Sequence, residues 1–150
     1  MKGFTIVEVI VGSAIILVFV SALSVAMSLY VSILPERINN IQAEFLAKEG
    51  VEAVKYLRNE SWDNNIATLS NDTDYYLDFS GGTWSLSTTA NTIDGTFTRT
   101  IVFLDVYRDG NNDIASSGTL DPDARRLLVT VSWNSESETI ETYITDILGN

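Results

Sequence analysis

The chain has 150 residues, no cysteine, no histidine and a formal net charge of −11. That composition rules out disulfides and thiol chemistry, and it removes the commonest acid–base group and transition-metal ligand. The excess of carboxylates repels phosphate backbones, so no nucleic acid is expected as a main partner, and the length suits one membrane helix plus one modest domain.

The first stretch, Met1 to Leu34, is apolar, small or hydroxyl-bearing throughout, and after Lys2 its one charged residue is Glu8. It exceeds the roughly 20 apolar residues that span a bilayer as a helix. It is also longer than the roughly 7–15 residue apolar core of a secretory signal peptide, and no small-residue cleavage site follows it. A membrane anchor is expected over 4–34. Lys2 ahead of the run fits a cytoplasmic N-terminus, with the acidic remainder outside the cytoplasmic membrane. Gly12, Ser13, Ala14, Ser21, Ala22, Ser24, Ala26 and Ser28 are small enough to let helices approach closely in lipid. Glu8 is the anomaly, because an ionisable group inside a spanning segment is costly and marks function by default. In lipid it can reach toward the interface beside Lys2. In a helical bundle without lipid it would be a buried carboxylate, tolerated only if paired and hydrogen-bonded. No Lys or Arg lies between Phe4 and Pro35, so a partner must come from another molecule or from a chain terminus.

Gly3, Phe4 and Glu8, followed at once by the apolar run, resemble the prepilin signature of type IV pilins and type II secretion pseudopilins. In that family a short basic leader ends in Gly, the mature chain starts at Phe, and its fifth residue is Glu. Here the leader reads Met1-Lys2-Gly3 and the mature segment opens Phe4-Thr5-Ile6-Val7-Glu8. The match covers about the first 30 residues and is architectural beyond them. The resemblance implies cleavage after Gly3 by a membrane prepilin peptidase and methylation of the new amine on Phe4. It also implies assembly with other pilin subunits into a filament through the helix. Cleavage would create the partner that Glu8 lacks, and an amine–carboxylate contact in an apolar core could set the axial register between subunits.

Pro35 ends the apolar run, and a kink is expected there because helical signals resume at once. From Glu36 to about Arg58, Ile38, Ile41, Phe45, Leu46, Val51, Val54 and Leu57 recur at helical spacing, so an amphipathic helix over 35–60 is expected to lay that face on a sheet. Glu44 with Lys48, and Lys48 with Glu52, are placed to pair along its exposed side. Gly50 costs helix stability and either admits a close strand or has no purpose. Asn59 to Asp74 reads as a polar loop tied down by Trp62.

The acidic remainder, 61–150, alternates as β-structure does. Strands are expected over Tyr75–Phe79 and Thr83–Ser87, joined by Gly81-Gly82, then over about Phe97–Tyr107, Leu127–Trp133 and Thr139–Ile147. Ile101 and Phe103 share one face of the third strand with Val102, Leu104 and Val106 on the other, which marks a central strand covered by the helix. The fold class is α+β, a long N-terminal helix packed on an antiparallel sheet, as in a pilin headpiece. The loop from Asp105 to Asp123 concentrates oxygen donors. Asp109, Asn111 and Asp113 alternate as the first ligands of an EF-hand do, but Ile114 and Leu120 stand where its Gly and Glu belong. A looser calcium loop could draw on Asp105, Asp109, Asn111, Asp113 and Asp121, as in some pseudopilins, whereas Asp-Gly, Asn-Asn and Asp-Pro are also plain turn residues. No other cofactor is indicated. No catalytic constellation appears, since the hydroxyls have no His or Cys partner, and the chain is not expected to be an enzyme. Arg125 and Arg126 are expected to pair with local acids. The expected function is that of a minor pilin or pseudopilin subunit of a type IV pilus or type II secretion-type filament. The alternative is a membrane-anchored extracytoplasmic binding domain that never polymerises.

Overall fold

The computed structural model describes residues 5–147 and Gly149. One helix, α1 (Ile6–Glu60), is followed by β1 (Tyr76–Ser80), β2 (Thr83–Ser87), β3 (Thr98–Arg108), β4 (Ile114–Ala115), β5 (Thr119–Trp133) and β6 (Glu136–Thr145). The helix is unbroken at position 35. The chain forms two compact units, Met1–Asn39 and Asn40–Asn150.

In the first unit the side chains of the apolar run are solvent-facing on every side of the helix, from Ile6 through Phe19 to Val31. A helix that is apolar all round belongs in a membrane or a protein core, and this one is long and apolar enough to cross a membrane. Three of its serine hydroxyls return to their own backbone. Ser13 Oγ donates to the Ile10 carbonyl (2.9 Å), Ser21 Oγ to Val18 (2.8 Å) and Ser24 Oγ to Val20 (2.9 Å), which satisfies them without water.

In the second unit, the end of α1 lies on a four-stranded antiparallel sheet of order β4-β3-β5-β6, and β1 and β2 form a separate hairpin. The hairpin joins the sheet through the Tyr75–Ile101 bridge. The fold is α+β, as the sequence pattern indicates. The helix face toward the sheet is narrow and small: Ala43, Ala47, Val51, Val54 and Leu57 are buried, with Gly50 between them. Opposite lie Ile101 and Phe103 of β3 and Leu127, Val129 and Val131 of β5, all fully buried. A Cβ on Gly50 would stand 2.8 Å from Val129 Cγ1 and 2.9 Å from Arg99 Cδ, so the glycine is there to admit the strands.

One expectation about this core is corrected. Ile41 and Phe45 do not lie on the sheet and are exposed, Phe45 at 67%, and Ile38 in the first unit is exposed too. Apolar spacing alone could not separate them from the buried stripe, because the surface that decided the matter is Ala and Gly. Val106 is buried as well, but outside the cluster formed around Ile101 and Phe103, in keeping with its alternate position on β3. Between Asp105 and Val106 the β5 partner jumps from Arg125 to Asp121, which leaves Pro122, Asp123 and Ala124 as the extra residues of a bulge. Pro122 has no N–H to donate to the ladder, so a bulge is where a strand tolerates it.

The segment after α1 is not wholly irregular. Asp63–Ala67 makes one π turn, pulled inward by Trp62 and Ile66, both buried. Asn65 Nδ2 donates at 2.9 Å to the Leu57 carbonyl, which also accepts the Ser61 N–H at 3.2 Å, so the segment is tied back to the last turn of α1.

Candidate functional site

The sequence places the functional centre at the start of α1. Gly3 and Phe4, the expected cleavage and methylation positions, lie outside the described residues. Glu8 is described, and it does not stand alone. Thr5 precedes the first helical residue, and its backbone N–H donates to Glu8 Oε2 at 2.9 Å. Its hydroxyl also donates to Oε2, at 3.0 Å, and in turn accepts the Glu8 N–H at 3.3 Å. This is a reciprocal capping box, in which a Thr N-cap and a Glu three residues on satisfy each other's orphan donors. The carboxylate also meets the positive end of the helix dipole. Thr5-Ile6-Val7-Glu8 is the sequence pattern of that motif, so the signal for Thr5 is present in the chain, though reading Glu8 only as a charge passes over it.

The geometry defines what Glu8 can still do. Both hydrogen bonds to its carboxylate use Oε2, and no bond to Oε1 is made among the described residues. The side chain lies on an exposed surface, flanked by Val7, Val9, Ile10 and Val11, which are also exposed. The arrangement is a half-satisfied carboxylate at the edge of an apolar cylinder, able to accept a further donor from outside.

The acidic stretch from Asp105 to Asp123 is not one loop: Asp105 lies in β3, Asp121 and Asp123 lie in β5, and a short turn with β4 joins them. Asp105 receives Arg125 Nη1, and Asp121 receives Arg108 Nε at 2.6 Å. Asp109 Oδ1 accepts the backbone N–H groups of Asn111 (2.8 Å) and Asp113 (3.0 Å), an Asx-type turn. Among the described residues no three acidic side chains are grouped to hold an ion. Gly118 supports this turn region. Its φ is +147°, and a Cβ there would sit 2.1 Å from the Arg108 carbonyl oxygen.

The arginines are internal struts. Arg125 also donates to Asn71 Oδ1 (2.9 Å) and the Ala67 carbonyl (3.3 Å), binding the 61–74 segment to β3 and β5. Arg126 pairs across the ladder with Glu141 at 3.5 Å. Arg99 is unusual because it occupies an inward position of β3 and is 3% exposed. It passes beneath Gly50 to reach the Leu46 carbonyl (3.0 Å) and Glu49 Oε2 (2.6 Å), with Trp84 across its guanidinium. Alternation with Phe97, Ile101 and Phe103 places it on the inner face, but nothing in β3 indicates its partners on α1.

No protein-family model, curated protein or solved structure matches this chain.

Proposed function

We propose that the chain is a minor-pilin-like or pseudopilin subunit, held in the cytoplasmic membrane by its N-terminal helix and drawn from there into a type IV pilus or type II secretion-type filament. The observation that supports this reading is an apolar helix exposed on all sides that carries a single carboxylate at its start, with a separate acidic headpiece behind it. In the proposed pathway the N-terminus is cytoplasmic and the headpiece lies outside. Prepilin peptidase cuts after Gly3, and the Phe4 amine is methylated. While the helix lies in lipid, Thr5 holds Glu8 Oε2 and limits the cost of a carboxylate near the interface. When helices leave lipid and pack on one another, Oε1 accepts the Phe4 amine of a neighbouring subunit. A charge-assisted bond of this kind is stronger than a neutral one, and in apolar surroundings it disfavours every axial offset that leaves it unmade.

The internal capping of Glu8 also favours a second reading. A carboxylate already satisfied by its own Thr5 can rest in a static anchor, and the chain is then a tethered extracytoplasmic binding domain. Two measurements separate the readings. The mass and first residue of the protein from its native membrane are expected to correspond to methylated Phe4; a chain starting at Met1 favours the tether. Glu8→Ala is expected to leave a stable membrane protein that no longer enters filaments. Normal incorporation of that variant would remove Glu8 from the assembly step.

A further inference from the structure

Among the described residues β1, β2, β4 and β6 each have a side with no paired strand; on β1 the Leu77 carbonyl accepts Asn91 Nδ2 (2.8 Å) and the neighbouring Tyr75 bridges to Ile101. β4 is two residues long, and β6 carries Glu136, Glu138 and Glu141. Very short edges and charged edges resist pairing with another chain. β2, Thr-Trp-Ser-Leu-Ser, has neither device. The Gly81-Gly82 turn closes on the Ser80–Thr83 pair, and both glycines have positive φ, as a two-residue hairpin requires. In such a hairpin the closing pair is hydrogen-bonded and the ladder then alternates. Trp84 and Leu86 therefore turn their N–H and C=O groups to the open edge.

Beside that edge lies a groove of about 230 Å³, bounded by the end of α1 and the segment after it. Its floor is Leu57, Leu69, Trp84 and Leu86, and Glu60 stands at its side. Asn64, Asn65 and Ser85 complete the lining, so apolar and polar groups share the groove. A free strand edge beside such a groove is the arrangement by which extended peptides are recognised, main chain on the edge and alternate side chains in the groove.

We infer that β2 and this groove receive an extended segment of another protein, with alternating apolar side chains and at least one Lys or Arg. Charge selects the occupant. Arg99, Arg108, Arg125 and Arg126 are all taken up in internal ion pairs, and residues 61–150 hold fourteen carboxylates against those four cations. Along 57–69, Glu60 and Asp63 stand against Arg58 as the only cation, so the acidic balance persists beside the groove, and Glu60 stands where a basic side chain at the end of the incoming strand would meet it. The same charge opposes pairing of β2 with β2 of a second copy.

The test uses the full chain in lipid nanodiscs and two labelled hexapeptides. Both alternate threonine and valine; one has lysine at each end and the other glutamate. The lysine peptide is expected to bind, with slowed amide exchange confined to residues 83–87 and 57–69. The glutamate peptide is expected to bind about tenfold more weakly. Glu60→Gln should reduce the lysine peptide's advantage several-fold. Ser85→Lys, a substitution at an exposed position that charges the edge, should abolish binding without altering the melt. No binding at millimolar lysine peptide, protection over 136–145 instead, or equal binding by Ser85→Lys would overturn the assignment. Protection of 83–87 that appears with protein concentration and no peptide would also overturn it, in favour of a second copy.

Discussion

Gly50→Ala separates two physical effects by sign. Helix propensity alone makes alanine better than glycine in a helix interior by about 1 kcal/mol. The structure opposes that gain, because the new Cβ would lie 2.8 Å from Val129 Cγ1, 2.9 Å from Arg99 Cδ and 3.6 Å from Ile101 Cδ1. Neither close neighbour yields cheaply. Val129 is fully buried in a central strand and its χ1 is stiff. Arg99 is held from the other end by the Leu46 carbonyl and Glu49. Overpacking of this kind costs about 1–3 kcal/mol, so the net result is destabilisation of up to about 2 kcal/mol, and Gly50→Leu is worse. Trp62, Trp84 and Trp133 all lie in the second unit, so intrinsic fluorescence during a thermal melt reports its unfolding. The expected fall is roughly 4 °C per kcal/mol. A Gly50→Ala chain that melts higher than the parent would refute the close approach of α1 to β3 and β5.

Four further outcomes follow from the same geometry. Arg99→Met is expected to be close to neutral, since an apolar isostere avoids the desolvation of a buried cation, while Glu49→Ala leaves that cation with one carbonyl and costs about 1–3 kcal/mol, discounted because Glu49 is half exposed; thermal melts of both decide whether the charge or the packing matters. Gly118→Ala should destabilise the β3–β4–β5 end of the sheet, visible as faster amide exchange over 105–121, because a Cβ meets the Arg108 carbonyl; unchanged exchange would show that the turn relaxes freely. The Tyr56 hydroxyl is held above its ordinary 10.0, first by its hydrogen bond to Glu60 and then by that carboxylate's charge, so its small contribution is present below about pH 10 and lost as pH rises through the folded value; ultraviolet titration should show Glu60→Gln returning Tyr56 toward the ordinary value. Millimolar calcium should leave the melt unchanged, since Asp105 and Asp121 are committed to Arg125 and Arg108, and a clear rise in the melting temperature would contradict that commitment.

Much of the architecture is legible because it rests on period. The Gly-Gly turn and the alternation around it locate β2 at Thr83–Ser87, and the helical spacing from Glu36 onward carries α1 to Glu60. What period misses is position-specific. The bulge in β5 is an example: β3 runs on opposite it with no sign of the jump from Arg125 to Asp121, whose extra residues include Pro122. Ion-pair choice is equally local. Lys48 takes Glu44 at 2.7 Å, as spacing suggests, but Glu52 takes Lys55 rather than Lys48, because both partners lie within helical reach. At the candidate site, Glu8 is legible as a costly charge. Its bond to Thr5 is legible only if the same four residues are also considered as a helix start.

α1 meets two different demands along one continuous backbone, and its composition changes accordingly. From Ile6 to Val31 large apolar side chains are exposed on all sides, with small and hydroxyl-bearing residues set among them. Such a surface gives no preferred rotation about the axis and no preferred axial position in lipid. From Ala43 onward one side narrows to Ala43, Ala47 and Gly50, while Glu44, Lys48, Glu52 and Lys55 hold the other in water. Here rotation and register are both fixed, because only the small side fits against β3 and β5, and Arg99 locks onto one turn, from Leu46 to Glu49. The first half lacks such a lock within its own chain. Its one polar device is Thr5 with Glu8, whose remaining oxygen is the sole acceptor of full charge on that surface among the described residues. If the half that lacks a fixed register is the half that packs against other subunits, its register must be set by something they bring to Glu8.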